Sequence, residues 1–242
     1  MSKIAIIGDF NSNSKTHQAT NEAIIHSNKF LESHIDYDWI PTEQIENNFD
    51  NITTNYQSYW LAPGSPYKSM NGALKIIEFA RINNRPTIGT CMGFQHLVIE
   101  FARNVLNIKD AGHIEYDPNA TTHIITPLSC NLKEQILEIT ILDKGSKTFG
   151  IFKTGKIYEK YYCNFGVNPQ FQSEIDKNGF KIVGSDVHKE ARILELTNHR
   201  FFIGTLFVPQ VNSTIQTPHP LITAFLKSTL EVNKTIKLSS ND

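Results

Sequence analysis

Cysteine is scarce in this chain, with three residues in 242, at positions 91, 130 and 163. An odd number without a CxxC pair argues against a disulfide framework and a structural zinc site, so neither metal nor cofactor is expected. Charge of one sign is also missing: 23 Lys and Arg against 24 Asp and Glu give a formal net charge of -1. That balance offers no basic field to nucleic acid or an anionic membrane, and no acidic tail. No apolar run approaches the ~18 residues of a membrane span. Met1-Ser2-Lys3 leads straight into a strand-like run without a secretory signal, so Asn-x-Ser/Thr triplets such as that at Asn212 are read as chance. A cytoplasmic protein is the expectation. What the chain does have is 40% hydrophobic residues, with 15 Phe, 8 Tyr and 2 Trp. That suits a folded chain with a sizeable core.

The first hundred residues switch between two periodicities. Lys3-Ile-Ala-Ile-Ile7 is a short apolar run closed by Gly8-Asp9, the pattern of a buried parallel strand. Helical spacing follows from about Thr16 to His34. Strands are expected at Ile35 to Ile40, Tyr59 to Ala62 and Pro86 to Cys91, with a helical turn after Pro41 and helices over 71–82 and 92–106. This alternation predicts a doubly wound α/β fold with a mostly parallel sheet. The rest reads as β-rich, with strands at 139–142, 149–152, 180–183, 193–196 and 201–207 before a closing helix from Pro218. No repeat or linker divides the chain, and a single domain over 1–242 is expected.

The chemistry concentrates in Thr87-Ile-Gly-Thr-Cys-Met-Gly-Phe-Gln95. Gly89 and Gly93 flank Cys91 two residues to either side, a thiol analogue of the G-x-S-x-G elbow. Such a turn lifts the side chain out of the sheet. The helix that follows aims its free N–H groups and positive dipole end at the sulfur and at any oxyanion formed there. An isolated cysteine is more often a buried structural residue, but this flanking pattern favours a nucleophile.

Gly89-Thr-Cys-Met-Gly-Phe-Gln95, Val98-Ile-Glu-Phe-Ala-Arg-Asn-Val105 and Glu115-Tyr-Asp-Pro118 occur in the same order as in a known family. So do Val167-Asn-Pro169, Ile193-Leu-Glu-Leu196, His199-Arg-Phe-Phe202 and Pro218-His-Pro-Leu221. Through these motifs almost the whole chain resembles a class I glutamine amidotransferase domain, most closely the C-terminal glutaminase domain of CTP synthases. The resemblance implies a flavodoxin-like fold, a link to pyrimidine metabolism, and a hydrolase that uses a Cys-His-Glu triad to take ammonia from glutamine through a thioester. It also implies a synthetase domain that consumes the ammonia, for which 242 residues leave no room.

Carried over residue by residue, Cys91 matches the nucleophile. Met92 and Gly93 match the elbow, Gln95 a residue beside bound glutamine, and Glu115 the carboxylate for the substrate's α-amino group. The departures lie at the same site. The family's His-Pro-Glu segment is Val208-Pro209-Gln210, so neither catalytic partner is present. The arginine expected to clamp the α-carboxylate is Asn164, which lacks the charge and the fork. The Gly-Gly oxyanion loop is Gly64-Ser65, stiffened by Pro66. Ordinary glutaminase activity is therefore expected to be impaired.

His113, His96 and His199 are the histidines considered as replacement bases, each with packing as the commoner alternative. Asp9, Asn11, Asn13, Lys15 and His17 follow the first strand and either line the crevice or form a solvated loop. Cys163, in the segment matched to the substrate clamp, is either an ordinary strand cysteine or, within disulfide range of Cys91, a redox partner; Cys130 carries no signal, and Tyr161 and Tyr162 either close over a ligand or pack. Three functions follow: a thiol-dependent amidase or amidotransferase on a small amide or amine, an inactive relative that binds a small molecule or partner, and an ammonia-supplying protein completed by a separate synthetase subunit. Self-association is left open.

Overall fold

The computed structural model describes residues 2–64 and 66–239, with side chains described through residue 232. The first half runs β1 (Ser2–Ile7), α1 (Lys15–Phe30), β2 (Ile35–Ile40), a 3-10 turn (Thr42–Gln44), α2 (Phe49–Asn55) and β3 (Ser58–Leu61). It continues through α3 (Met70–Ile82), β4 (Thr87–Thr90) and α4 (Met92–Asn104). Then come β5 (Ala111–His113), β6 (Thr122–Pro127), β7 (Ile136–Ile141), α5 (Lys147–Phe152), β8 (Lys156–Lys160), β9 (Phe165–Val167) and α6 (Pro169–Lys177). The chain closes with β10 (Phe180–Ser185), β11 (Ala191–Leu196), β12 (Phe202–Thr205), a 3-10 turn (Pro209–Asn212) and α7 (Pro220–Ser239).

Nine strands form the main sheet in the order β2-β1-β3-β4-β12-β11-β10-β7-β8. It is parallel from β2 through β12 and antiparallel from β12 to β8, so the β-rich second half extends the α/β sheet as expected. The parallel strands are apolar because both faces are covered: every residue of β3 and β4 is buried. A second sheet, β5-β6-β9, lies across α4, which contacts β3, β4 and β12 on one side and β5, β6 and β9 on the other. This sandwiching explains why α4 is apolar on nearly all faces, with Met92 through Ala102 buried.

The loops at the carboxyl edge of the parallel strands are tied together. The Asp9 carboxylate accepts from Thr42 N (3.1 Å), Thr42 Oγ1 (2.9 Å) and Lys68 N (3.0 Å), joining the segments after β1, β2 and β3. Ser14 caps α1 by accepting from His17 N, and Ser69 caps α3 by accepting from Gly72 N.

One strand expectation is corrected. Phe149-Gly-Ile-Phe152 belongs to helix α5, not to a strand. The Ser146 hydroxyl accepts from Phe149 N, while Glu195, reaching over from β11, accepts from Lys147 N and Thr148 N at 2.9 Å each. A distant carboxylate on the helix's first N–H groups outweighs the local aromatic and β-branched preference. No helix is long and apolar enough to cross a membrane among the described residues.

Candidate active site

Cys91 bridges β4 and α4 in a backbone conformation unusual for a side-chain-bearing residue, φ 53° and ψ -105°. Its N–H donates to the Thr205 carbonyl at 2.9 Å, extending the β4–β12 ladder by one rung before the chain turns. Positive φ at a non-glycine residue costs free energy, and such strain persists only where the surroundings enforce it. Gly93 shows the enforcement: a Cβ there would lie 2.1 Å from the Leu61 carbonyl oxygen, so α4 starts directly against the end of β3. The first N–H groups of α4, those of Met92 and Gly93 among them, have no carbonyl one turn back in the helix and lie at its positive end.

The Cys91 side chain is 7% exposed and opens into a cavity of about 390 Å³. Met92, Gly64, Gln95, Glu115 and Asn164 line the same space. The structure thus brings together Cys91 and most residues singled out beside it. Gly93 instead packs against β3, and Ser65 lies outside the described residues. The charged lining groups are Lys15, Lys133 and Glu115.

Gly64 has φ 109° and stands where His17 leaves no room for a side chain, since a Cβ would meet His17 Nε2 at 2.7 Å. His17 fixes this loop. Its Nδ1 accepts from Asn11 N at 3.0 Å, which leaves Nε2–H to donate to the Pro63 carbonyl at 2.8 Å. The ring also packs on Trp39, with centroids 4.7 Å apart. Burial outweighs the Pro63 bond and the Asp9 charge and lowers the His17 pKa, favouring the neutral ring. Asn11, Ser12 and Asn13 are solvated as a plain loop, but His17 is not.

Gln95 is held at both ends of its amide. Nε2 donates to the Phe165 carbonyl at 2.9 Å, and Oε1 receives the His113 Nε2–H at 3.0 Å. His113 has this tautomer because its Nδ1 accepts from Glu115 N at 3.1 Å. Buried and near His96 and His123, its pKa falls to about 3. His113 therefore orients Gln95 and the Glu115 backbone and is not a replacement base. His96 is equally committed. Its Nδ1 donates to the Met92 carbonyl at 3.0 Å, and burial lowers its pKa to about 4. His199 lies at the opposite, amino end of β12, donating to the Ala80 carbonyl at 3.2 Å. Among the described residues no histidine lines the cavity.

The positions matched to the catalytic histidine and glutamate have been absorbed into the core. Val208 is fully buried, and its N–H donates to the Lys160 carbonyl at 2.9 Å. Gln210, 1% exposed, donates to Thr20 Oγ1 at 3.0 Å and Thr90 Oγ1 at 3.4 Å, joining α1 to the end of β4. Neither lines the cavity. Asn164 does, but its Oδ1 accepts from Leu132 N at 3.2 Å and serves the loop before β7.

Cys163, which the sequence offers either as a neighbour of Cys91 or as a plain strand cysteine, is brought to the site. Its Sγ lines the cavity, donates to the Leu206 carbonyl at 3.5 Å, and faces the Cys91 thiol. That neighbouring thiol, followed by burial, pushes the Cys163 pKa well up. Its place beside Asn164, in the motif matched to the substrate clamp, was the available signal. Tyr162 also reaches the cavity, whereas Tyr161 is fully buried beneath it. No group of three or more His, Cys, Asp or Glu is placed to hold a metal ion among the described residues.

The family model Glutamine amidotransferase class-I matches residues 16–228. The chain belongs to this family. It is 32% identical over 240 residues to the CTP synthase of Cytophaga hutchinsonii, a match covering 93% of this chain and 44% of that protein. It is 35% identical over 221 residues to that of Caldivirga maquilingensis, covering 86% and 40% respectively. The chain thus spans less than half the length of the curated relatives it matches. Among solved structures, the glutaminase domain of Trypanosoma brucei CTPS with bound acivicin superposes with a TM-score of 0.88 at 22% identity, covering 96% of this chain and 94% of that one. A glutamine amidotransferase from Thermotoga maritima shares the fold more loosely, with a TM-score of 0.59 at 11% identity over 95% and 96% of the two chains.

Proposed function

We propose that this amidotransferase-family chain is a thiol-dependent acyl-transfer protein acting on a small amide or related acyl compound, with ordinary glutaminase activity impaired. The observation that carries the reading is the strained Cys91 turn at the start of α4, opening into a cavity large enough for an amino-acid-sized molecule. In this reading the Cys91 sulfur attacks the substrate carbonyl. The resulting oxyanion is met by N–H groups at the start of α4 and from the loop at Gly64. Glu115 offers a carboxylate to a substrate ammonium group. Ammonia leaves such an intermediate only with a proton, and no histidine among the described residues borders the cavity to supply one. The absent base lowers amide turnover by roughly two to four orders of magnitude. An acyl group carried on a better leaving group, as in a thioester, is affected less.

Cytoplasmic location, a single domain over 1–242 and a place in pyrimidine metabolism belong to the same proposal. The competing reading is a binding relative without turnover, favoured by the burial of Val208 and Gln210 and by the commitment of Asn164 to Leu132. An ammonia-supplying protein completed by a separate synthetase is the third.

Competitive labelling separates them. The reduced protein is treated with iodoacetamide or 6-diazo-5-oxonorleucine, and adducts are located by mass spectrometry. Selective modification of Cys91 ahead of exposed Cys130, with thioester hydrolysis lost in Cys91→Ser, is the expected result. Equal, sluggish labelling of both cysteines without thioester turnover would sink the enzyme reading in favour of binding. Labelling that needs an added synthetase would favour the ammonia-supplying reading.

A further inference from the structure

Two cysteines, not one, line the cavity. The Cys91 N–H donates to the carbonyl of Thr205, and the Cys163 Sγ donates to that of Leu206, the next residue along. Thr205, paired with Thr90 of β4, is the last residue of β12, so the two accepting carbonyls belong to consecutive residues at the end of that strand. Both side chains line the same cavity. The Cys163 thiol lies close enough to Cys91 for that contact to be the largest influence on its own titration. Cys130 is exposed and does not line this cavity.

We propose that Cys91 and Cys163 form a redox-active dithiol, with a peroxide as oxidant and an internal disulfide as product. This goes beyond the acyl-transfer reading and needs only the placement of the two sulfurs. The Cys91 sulfur attacks one oxygen of hydrogen peroxide, the O–O bond breaks, and Cys91 becomes a sulfenic acid as one water leaves. The Cys163 sulfur then attacks the Cys91 sulfur. An S–S bond forms, the S–O bond breaks, and the departing hydroxide takes the Cys163 proton as a second water. Two thiols are oxidised and one peroxide is reduced to two waters. The disulfide consumes the sulfur that would attack a carbonyl, so oxidation closes the acyl-transfer site, and a dithiol reductant reopens it. Cys163 also shields Cys91 from deeper oxidation, because a resolving thiol captures the sulfenic acid before a second peroxide does.

The test treats the full chain with dilute hydrogen peroxide, blocks free thiols with iodoacetamide, and reads intact mass and tryptic peptides. The expected outcome is loss of two hydrogens, a cross-link between the peptides carrying Cys91 and Cys163, loss of alkylation at both, and full recovery with dithiothreitol. Cys130 stays alkylatable. Cys163→Ser is expected to carry Cys91 on to sulfinic acid without a cross-link. Sulfinic acid at Cys91 of the unaltered protein with Cys163 still free, or a cross-link through Cys130, overturns the proposal. The two proposals fail separately: acyl labelling is read on the reduced protein, whereas the cross-link forms whether or not any acyl substrate reacts.

Discussion

Replacing Gly93 by alanine tests whether packing, rather than local sequence preference, holds Cys91 in its turn. The added Cβ would sit 2.1 Å from the Leu61 carbonyl oxygen and 2.7 Å from the Leu61 carbonyl carbon and Cβ. Real Cβ atoms essentially never approach closer than 3.0 Å, so α4 and β3 must separate by about 0.9 Å. Neither side yields easily. Leu61 ends a strand bonded to β1 and β4, and α4 is wedged between two sheets. Overpacking at such a site costs about 1–3 kcal/mol, and in a chain of this size each kcal/mol lowers Tm by roughly 2–4 °C. The consequence for the thiol is larger, because a displacement near 1 Å at a reacting centre is worth about a hundredfold in rate. The assay is the iodoacetamide labelling rate of Cys91, referenced within each sample to exposed Cys130, with thermal unfolding in parallel. Gly150→Ala is the control. Its Cβ meets nothing within 4 Å in helix α5, so it is expected to stabilise by about 0.5–1 kcal/mol and leave Cys91 untouched. A Gly93→Ala protein with unchanged Tm and an unchanged Cys91-to-Cys130 labelling ratio would refute the reasoning.

Four further outcomes are expected. Arg81→Ala leaves the fully buried Glu100 carboxylate without the guanidinium bonded to it at 2.7–3.1 Å, and urea unfolding is expected to show a loss of about 3–5 kcal/mol. Lys68→Ala, which removes an exposed pair at 3.6 Å, is expected to cost under about 1 kcal/mol in the same assay. Stability is also expected to fall on acidification. His96 and His113 have folded pKa values near 4 and 3 against an ordinary 6.5, so below pH 6.5 the unfolded chain binds protons that the folded chain refuses. Each then contributes a loss of up to ~1.4 kcal/mol per pH unit until its folded pKa is reached. A Tm independent of pH between 6.5 and 4.5 in both the parent and His113→Gln would contradict their burial as neutral rings. Finally, Val208→His combined with Gln210→Glu is expected to raise glutamine hydrolysis by about 10²-fold or more, measured as ammonia release. Unchanged release from a folded double variant would refute the reading that Val208 and Gln210 stand where the catalytic partners belong.

The legible part of this protein was what a few neighbouring residues dictate. The buried strands at Lys3–Ile7 and Thr87–Thr90, and the helix after Cys91, were readable because their apolar runs end in turn residues. The elbow was readable because Gly89 and Gly93 mark where a helix and a strand meet. What escaped depends on partners far along the chain. Lys156-Ile-Tyr-Glu-Lys160 carries little signal of its own but pairs with β7. Phe149–Phe152 looks like a strand until Glu195 arrives at its N-terminus. His17 reads as a loop residue, and only the Pro63 carbonyl makes it a support of the Gly64 turn. Cys163 reads either as an ordinary thiol or as a neighbour of Cys91, and the fold decides by bringing it to the cavity that Cys91 lines.

The Cys91 turn rests on contacts among β3, β4, β12 and α4, and Gln210 joins the same strand end through the Thr90 hydroxyl. Gln210 ties Thr20 to Thr90, and Asn164 receives the Leu132 N–H. Replacing either side chain has to undo those bonds before it adds chemistry, so each single substitution is expected to cost stability first. The pocket meanwhile holds a second thiol where a proton acceptor would be useful. A thiol pushed to high pKa stays protonated at neutral pH, and the Cys163 proton is directed to the Leu206 carbonyl, so Cys163 is a poor base for Cys91. Under the proposed acyl-transfer reading, attack of Cys91 on an activated acyl group needs no proton relay, whereas release of ammonia from glutamine does.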